Sequence, residues 1–117
     1  MNILVDSSVW IAYFRGTENM QKMDFLIEED LIVTNNLILA ELIPHLYVQK
    51  ERKLTNLLEQ LSCFSLNTDW SNIIQMQMTC ILNGINKMGI PDLLIAQNAI
   101  QNKLNIFTLD KHFYLMT

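Results

Sequence analysis

Short unbroken apolar runs alternate with longer stretches in which apolar residues recur every three or four positions. The apolar runs predict buried β-strands at residues 2–5, 31–33, 63–66 and 106–109. The longer stretches predict helices at 8–15, 18–29, 36–49, 51–61, about 69–82 and 91–103. This alternation predicts an α/β fold, a three-layer α/β/α sandwich with a short central parallel sheet of four to five strands.

Helix ends are marked by particular residues. Thr34 or Asn35 can cap the helix over 36–49, and Thr68 or Asp69 can cap the helix that ends near Asn83-Gly84. Pro91 suits the first turn of the last helix. Pro44 lies inside the helix over 36–49 and is expected to kink it, because proline lacks a backbone donor and crowds the preceding turn.

The apolar spacing also predicts which side chains form the core. The helix over 51–61 should face the core with four leucines, and the helix near 69–82 should do so with Trp70, Ile73, Ile74, Ile81 and several methionines. The helix over 18–29 contributes Met20, Met23, Phe25 and Leu26. Cys63 and Cys80 form no metal motif and are expected to be buried free thiols.

Composition narrows the class of protein. The chain has 117 residues, of which 50% are hydrophobic and 17% charged, which excludes disorder and predicts one domain over 1–117. No apolar run reaches the roughly 18 residues of a membrane span, and a signal-peptide pattern is lacking, so we expect a cytoplasmic protein with no membrane partner. The net charge of −4 places any nucleic-acid activity at a local site rather than on a broad basic surface.

Four carboxylates stand at positions where this fold would gather them. Asp6 follows the first predicted strand and Asp110 follows the last, so both should lie at the same edge of the sheet, beyond the carboxyl ends of the strands. Asp92 lies in the first turn of the last helix. Glu41 lies within the apolar run LILAELI, where an unpartnered carboxylate is uncommon.

Each acid also has an ordinary structural explanation. Asp6 can cap a helix, Asp92 can complement a helix dipole, Asp110 can cap a turn, and Glu41 can face solvent. Gathered together, however, carboxylates about 4 Å apart repel by roughly 4 kcal/mol at an effective dielectric constant near 20. A hard divalent cation would offset that repulsion, and an all-oxygen donor set favours Mg²⁺ or Mn²⁺. Such a site is typical of metal-assisted phosphodiester hydrolysis.

Four segments of the chain resemble a known family. In order, VDSSVWI, ILAELI, GIPDLLIAQNA and FTLDKHF resemble the PIN domain, and in particular the small VapC-type toxins of prokaryotic toxin–antitoxin pairs. The resemblance spans residues 3–113. The chain is short for this family, and Pro44 in the helix of Glu41 is unusual, which bears on the reach of Glu41.

The resemblance implies a site and a reaction. Asp6, Glu41, Asp92 and Asp110 would surround one or two Mg²⁺ or Mn²⁺ ions, with Asp6 and Asp92 as direct ligands, and Thr108 would orient a carboxylate or a water. The implied activity is a metal-dependent endoribonuclease that cuts single-stranded or loop RNA, leaving a 5′-phosphate and a 3′-hydroxyl. Structured RNAs such as tRNA are frequent targets of the family.

The resemblance also implies protein partners. An antitoxin would wrap its C-terminal segment around the chain and block the acidic pocket, and a homodimer is expected. Trp10, Phe14, Met20 and Met23 either line the antitoxin groove or belong to the core.

Few basic residues are available to contact an RNA substrate. We expect phosphate contacts from Arg15, Lys87 and Lys111. A second basic group, Lys50, Arg52 and Lys53, is interpreted as a solvated helix end, and His112 as a surface residue.

Three other functions remain open. A structure-specific DNA nuclease could use the same acids, since sequence does not separate RNA from DNA here. A non-catalytic PIN-fold interaction module would keep the fold without turnover. A phosphoacceptor signalling domain also gathers aspartates at a sheet edge, but the third predicted strand ends Ser65-Leu66-Asn67 and lacks the required acid.

Overall fold

The computed structural model describes residues 2–17, 20–85 and 88–110. Within them, four strands form one sheet: β1 (Ile3–Val5), β2 (Ile32–Thr34), β3 (Ser62–Cys63) and β4 (Asn105–Phe107). The helices of the described part are α1 (Ser7–Arg15), α2 (Met20–Glu28), α3 (Asn36–Val48), α4 (Arg52–Glu59), α5 (Trp70–Leu82) and α6 (Ile90–Gln101).

The sheet is parallel throughout, with strand order β3-β2-β1-β4. In β1, Ile3 lies opposite Ile32 of β2 and Asn105 of β4. The chain winds from β1 to β2 to β3 in one direction, and β4 then joins the other side of β1. Right-handed crossovers therefore place helices on both faces of the sheet. The predicted α/β sandwich is confirmed, with four strands in the described part.

The winding reverses between β1 and β4, and this reversal matters for function. In open α/β sheets, ligands bind beyond the carboxyl ends of the strands at such a switch point, because the connections on its two sides diverge and leave a crevice. Asp6 follows β1 directly, and Thr108 follows β4 directly.

The core forms where the strands meet the helices. Leu4, Val5 and Val33 of the sheet are buried, and Trp10 and Leu93 are fully buried helix side chains. Leu58 of α4 is fully buried. The other three leucines of the predicted pattern are partly buried and pack against the core: Leu54, Leu57 and Leu61. The prediction for this helix is therefore confirmed.

Caps define the helix ends, as predicted. The Asn35 side chain accepts a hydrogen bond from the Ile38 N–H at 2.9 Å, and Asp69 accepts one from the Asn72 N–H at 3.2 Å. Gly84, with φ +75°, follows the end of α5. The helix α3 continues through Pro44, so the proline does not end it.

The third strand is shorter than predicted. The sequence predicts a strand over 63–66, but β3 holds only Ser62–Cys63. The Phe64 N–H still bonds to the Thr34 carbonyl at 2.8 Å, after which the Ser65 carbonyl accepts the Asn98 side chain at 3.1 Å. Beyond Phe64 the chain therefore bonds to a side chain of α6.

Several predicted core residues are exposed instead. In α5, Ile73 and Cys80 are buried, but Trp70, Ile74 and Ile81 are each more than half exposed. Phe25 of α2 is also exposed. The prediction was wrong because apolar spacing identifies a helix but does not show how much of the helix surface is covered by neighbouring elements. Cys63 lies on the edge strand β3 and is exposed, so only Cys80 is the buried thiol that we expected.

Within the described ranges, every helix is too short or too polar to cross a membrane.

Candidate active site

Asp6 occupies the cap position of α1, but its carboxylate does not serve as the cap. Its Oδ2 atom accepts two hydrogen bonds instead, from the Ser8 hydroxyl at 2.9 Å and from the Thr108 hydroxyl at 2.9 Å. The side chain is 5% exposed. A buried carboxylate held by two hydroxyls is oriented toward a fixed point, so simple capping does not account for it.

Thr108 connects Asp6 to Asp110. Its buried hydroxyl donates to Asp6 and accepts the Asp110 N–H at 3.0 Å. The Ser8 hydroxyl makes a parallel link, since it donates to Asp6 and accepts the Leu109 N–H at 3.2 Å. The segments after β1 and β4 are therefore joined at the switch point of the sheet.

Asp92 lies in the first turn of α6. One of its oxygens, Oδ2, accepts the Gly89 N–H at 3.1 Å, so the helix-end interpretation holds for that atom. A carboxylate offers about four lone-pair positions, so one carboxylate can bond to several partners at once. The helix N-terminus adds a partial positive charge beside this carboxylate.

Glu41 reaches the same region from α3. Much of its side chain is solvent-exposed, yet loss of hydration around the carboxyl raises its pKa, and the charges of Asp6 and Asp92 raise it further. A hydrogen bond from the Ser7 side chain lowers the pKa in part. The repulsion means that three acids from three different elements lie within electrostatic range of one another. Pro44 therefore does not turn Glu41 away from the site.

The donor set is suited to a hard divalent cation. The converging groups are carboxylates and a threonine hydroxyl, and the repulsion at Glu41 is one that a cation would relieve. Across residues 2–17, 20–85 and 88–110, however, no three acidic, histidine or cysteine side chains stand close enough to enclose an ion by themselves. A Mg²⁺ ion is usually held by one or two carboxylates and keeps several waters.

Two buried asparagines fix the helices that carry these acids. Asn35, before α3, donates from Nδ2 to Asn98 Oδ1 of α6 at 3.0 Å, and Asn98 in turn donates to the Ser65 carbonyl. Gln97 bonds to Asp69 and Asn72 beside them. The relative placement of Glu41 and Asp92 therefore depends on an amide pair that the sequence analysis missed. A signal was present, since Gln97 and Asn98 interrupt the apolar run of α6.

Sequence analysis also missed the roles of Ser7 and Ser8. The two residues directly follow Asp6 and begin α1. The Ser8 hydroxyl bonds to Asp6, and the Ser7 side chain lowers the pKa of Glu41. Their adjacency to the first acid was the available signal.

Arg15 lies near this site. It is exposed in the last turn of α1 and lines, together with Glu41, a groove of about 310 Å³ between α1 and α3. Lys87, Lys111 and His112 lie outside the described residues.

The apolar residues expected either at the antitoxin groove or in the core do not share one environment. Trp10 and Met23 are fully buried, so the core interpretation applies to them. Phe14 is partly buried and lines the groove beside Arg15. The side chain of Met20 is not among those described.

Comparisons with known proteins agree with the fold. The family model described as PIN domain matches residues 3–117. The crystal structure of VapBC2 from Rickettsia felis bound to a DNA fragment from their promoter contains a chain with 19% identity and a TM-score of 0.76; the alignment covers 98% of this chain and 92% of that one. The crystal structure of FitAcB from Neisseria gonorrhoeae gives 24% identity and a TM-score of 0.73, with 97% and 91% covered. The search of curated proteins found no match.

Proposed function

Since this chain belongs to the PIN domain family, whose members are nucleases, we propose that it is a Mg²⁺- or Mn²⁺-dependent endoribonuclease acting as the toxin of a toxin–antitoxin pair. The observation that carries the proposal is the hydrogen bonding of Asp6. Its carboxylate is buried at the sheet's switch point and held by Ser8 and Thr108, next to Asp110, rather than capping its helix.

In this proposal Asp6 and Asp92 hold the metal, and Glu41 and Asp110 complete the site directly or through waters. The bound cation would supply Lewis acidity, which lowers the pKa of a water and offsets charge on the phosphate. Glu41 is suited to accept a proton from the attacking water, because burial and neighbouring acids raise its pKa. Ser8 and Thr108 fix Asp6, and Arg15 would contact a phosphate. Attack of the water oxygen at phosphorus then breaks the P–O3′ bond, and the 3′-oxygen takes up a proton from solvent, which leaves a 5′-phosphate and a 3′-hydroxyl.

The resemblance to VapC-type toxins supports RNA, including tRNA, as the substrate. It also supports an antitoxin partner, as do the matches to chains of the VapBC2 and FitAcB structures. A DNA nuclease and a non-catalytic module remain the alternatives that an assay must separate.

The outer face of α5 supports the homodimer. Trp70, Ile74, Met78 and Ile81 follow one another at helical spacing, each more than half exposed, and α5 carries no charged residue. A two-fold contact brings the same patch of both copies together. An uncharged apolar patch can meet its own copy without like-charge repulsion, although the whole chain carries −4.

The central test is cleavage of labelled single-stranded RNA and DNA with Mg²⁺, Mn²⁺ or EDTA. We expect cleavage of RNA that EDTA stops. Asp6→Asn and Asp92→Asn should lower kcat by at least about 100-fold while leaving the fold intact. Glu28→Gln, which neutralises an exposed acid of α2, is the matched control.

Other outcomes identify the alternatives. Preferential cleavage of DNA would support the DNA nuclease. No cleavage of either substrate by the folded wild type would support the non-catalytic module. Normal cleavage by both aspartate variants would show that the acids are misassigned.

The dimer has a separate test by light scattering. Ile74→Glu should convert the dimer to a monomer, because it buries a charge in the contact. Ile100→Glu, at an exposed isoleucine of α6, should not. A wild-type monomer at micromolar concentration would contradict the proposed contact.

A further inference from the structure

A basic turn lies at the far end of the helix that carries Glu41. Three of the chain's eight Lys and Arg residues, Lys50, Arg52 and Lys53, occur within four positions where α3 ends and α4 begins, and all three are exposed. With Glu51, the turn has a local charge of +2 in a chain of −4. Such a concentration of positive charge favours a polyanionic partner.

Stabilisation of the helices does not explain this charge. Lys50 follows the C-terminus of α3, where a cation is favourable. Arg52 and Lys53, however, are the first two residues of α4, next to the positive end of the helix dipole, and no acid lies in that first turn. These two cations stand where helix electrostatics opposes them.

An exposed aromatic residue accompanies the cations. Tyr47, in the last turn of α3, is 77% exposed. Together with Lys50 and Arg52, it lines a hollow of about 590 Å³. Glu51 and Glu59 also line this hollow. An aromatic ring beside basic side chains is the usual arrangement for stacking an unpaired base while its phosphates are neutralised.

A groove joins this turn to the acidic site. Glu41, His45 and Gln49 are spaced four residues apart along α3 and line the groove that also contains Arg15. Leu46 lines both this groove and the hollow at Tyr47. From Glu41 to Gln49 the helix rises about 12 Å, which spans three or four stacked nucleotides.

We propose that single-stranded RNA runs from the acidic site along the His45–Gln49 side of α3 to the basic turn, where Lys50 and Arg52 contact phosphates and Tyr47 stacks on a base. This inference rests on the proposed nuclease function and extends it by assigning a substrate-binding surface remote from the reacting phosphate. Arg15 and His45 line the path between the two ends.

Binding and cleavage can be tested separately. Binding is measured on the metal-free Asp6→Asn protein with a fluorescent RNA of about 12 nucleotides over a range of NaCl concentrations. Lys50→Gln and Arg52→Gln should each reduce the slope of log Kd against log salt by roughly 0.7. Tyr47→Ala should weaken binding about fivefold or more, and Tyr47→Phe should not, since stacking needs the ring and not the hydroxyl.

Lys103→Gln is the matched control for Lys50→Gln. Both lysines are exposed, follow a helix C-terminus and have positive φ angles, 53° and 60°. Lys103 precedes β4, at the opposite edge of the sheet from the acids. An equal effect of the two lysine substitutions would overturn the proposal, because it would show general charge attraction only.

Cleavage by otherwise wild-type protein gives the second readout. Lys50→Gln should raise KM for the long RNA with kcat unchanged, and should leave cleavage of a trinucleotide unaffected. If the wild type has the same KM for the long RNA and for the trinucleotide, the proposed RNA path along α3 is wrong, although the nuclease function is unaffected. Failure of the wild type to cleave either substrate would count against the nuclease function, but the salt slopes would still test the binding surface.

The antitoxin is the other partner that could bind this turn. If Lys50→Gln or Arg52→Gln loses antitoxin binding while its RNA binding is unchanged, the turn belongs to the antitoxin interface and the proposal is overturned.

Discussion

At the scale of single residues, the site depends on side chains that each satisfy two partners. The Thr108 hydroxyl donates to Asp6 and accepts from the Asp110 backbone, and the Ser8 hydroxyl does the same with Asp6 and Leu109. Such hydroxyls fix the direction of a carboxylate without neutralising its charge. That combination leaves the carboxylate free to bind a cation.

Removing the Thr108 hydroxyl tests this role. Thr108→Val should lower the free energy of unfolding by about 1–3 kcal/mol, because it leaves a buried Asp6 oxygen and the Asp110 N–H with one partner fewer. Thr108→Ser keeps the hydroxyl and should retain most of the stability and kcat. Urea unfolding and RNA cleavage measure the two effects. Equal behaviour of the valine and serine variants would show that the hydroxyl has no such role.

The raised pKa of Glu41 predicts a pH dependence of stability. Its pKa lies above the ordinary value of 4.5 in the folded protein, so the folded state binds more protons than the unfolded state as pH rises from that value. The Glu41 contribution to stability is therefore present at low pH and lost as pH rises through the raised pKa. Thermal unfolding of metal-free protein between about pH 4 and pH 7 should show this loss.

Glu41→Gln should remove that part of the pH dependence, and Asp92→Asn should reduce it by removing one of the repelling charges. A wild-type pH profile in Glu41→Gln would assign the dependence to another group.

At the scale of secondary-structure elements, periodicity predicted most of what formed. The strands at 2–5 and 31–33, the four core-facing leucines predicted for residues 51–61 and the caps at Asn35 and Asp69 are confirmed. The prediction that the outer face of α5 is buried was wrong, because the spacing of Trp70, Ile74 and Ile81 is the same whether or not a neighbouring element covers them. Element formation is a local property, whereas coverage depends on what packs beside the element.

The contact between α3 and α6 gives a prediction at this scale. Asn98→Ala should lower the free energy of unfolding by roughly 2–3 kcal/mol, since it leaves the buried Asn35 amide and the Ser65 carbonyl without their partner. It should also weaken Mn²⁺ binding in titration calorimetry, because Glu41 and Asp92 lie on the two helices that Asn98 joins.

Gln101→Ala provides the comparison, since Gln101 is an exposed residue of α6 that bonds the Asn67 carbonyl. Its loss should cost about 0.5 kcal/mol and leave Mn²⁺ affinity unchanged. Unchanged Mn²⁺ affinity in Asn98→Ala would restrict that residue to a structural role.

At the scale of the whole molecule, topology and charge act together. The reversal of winding between β1 and β4 brings acids from distant parts of the chain to one edge, where they repel one another. In the proposed metal-bound state, a cation would offset that repulsion in the folded protein. Metal binding and folding should therefore be coupled.

This coupling predicts a metal-dependent thermal shift. Mg²⁺ or Mn²⁺ at 100 times its Kd should stabilise the wild type by about 2.7 kcal/mol. Differential scanning fluorimetry should show a matching rise in Tm for the wild type and Glu28→Gln, but little or none for Asp6→Asn or Asp92→Asn. A full rise in both aspartate variants would place the metal elsewhere.

The sequence by itself determined the strands, the helices and the edge of the sheet at which the acids stand. These follow from apolar periodicity, capping residues and the geometry of parallel strands, all of which act over a few residues. Only the tertiary structure decided that Asp6 bonds to Thr108 across 102 positions, that Asn35 bonds to Asn98 across 63, and that the outer face of α5 stays uncovered. Such contacts depend on how finished elements pack, and no local pattern encodes that packing.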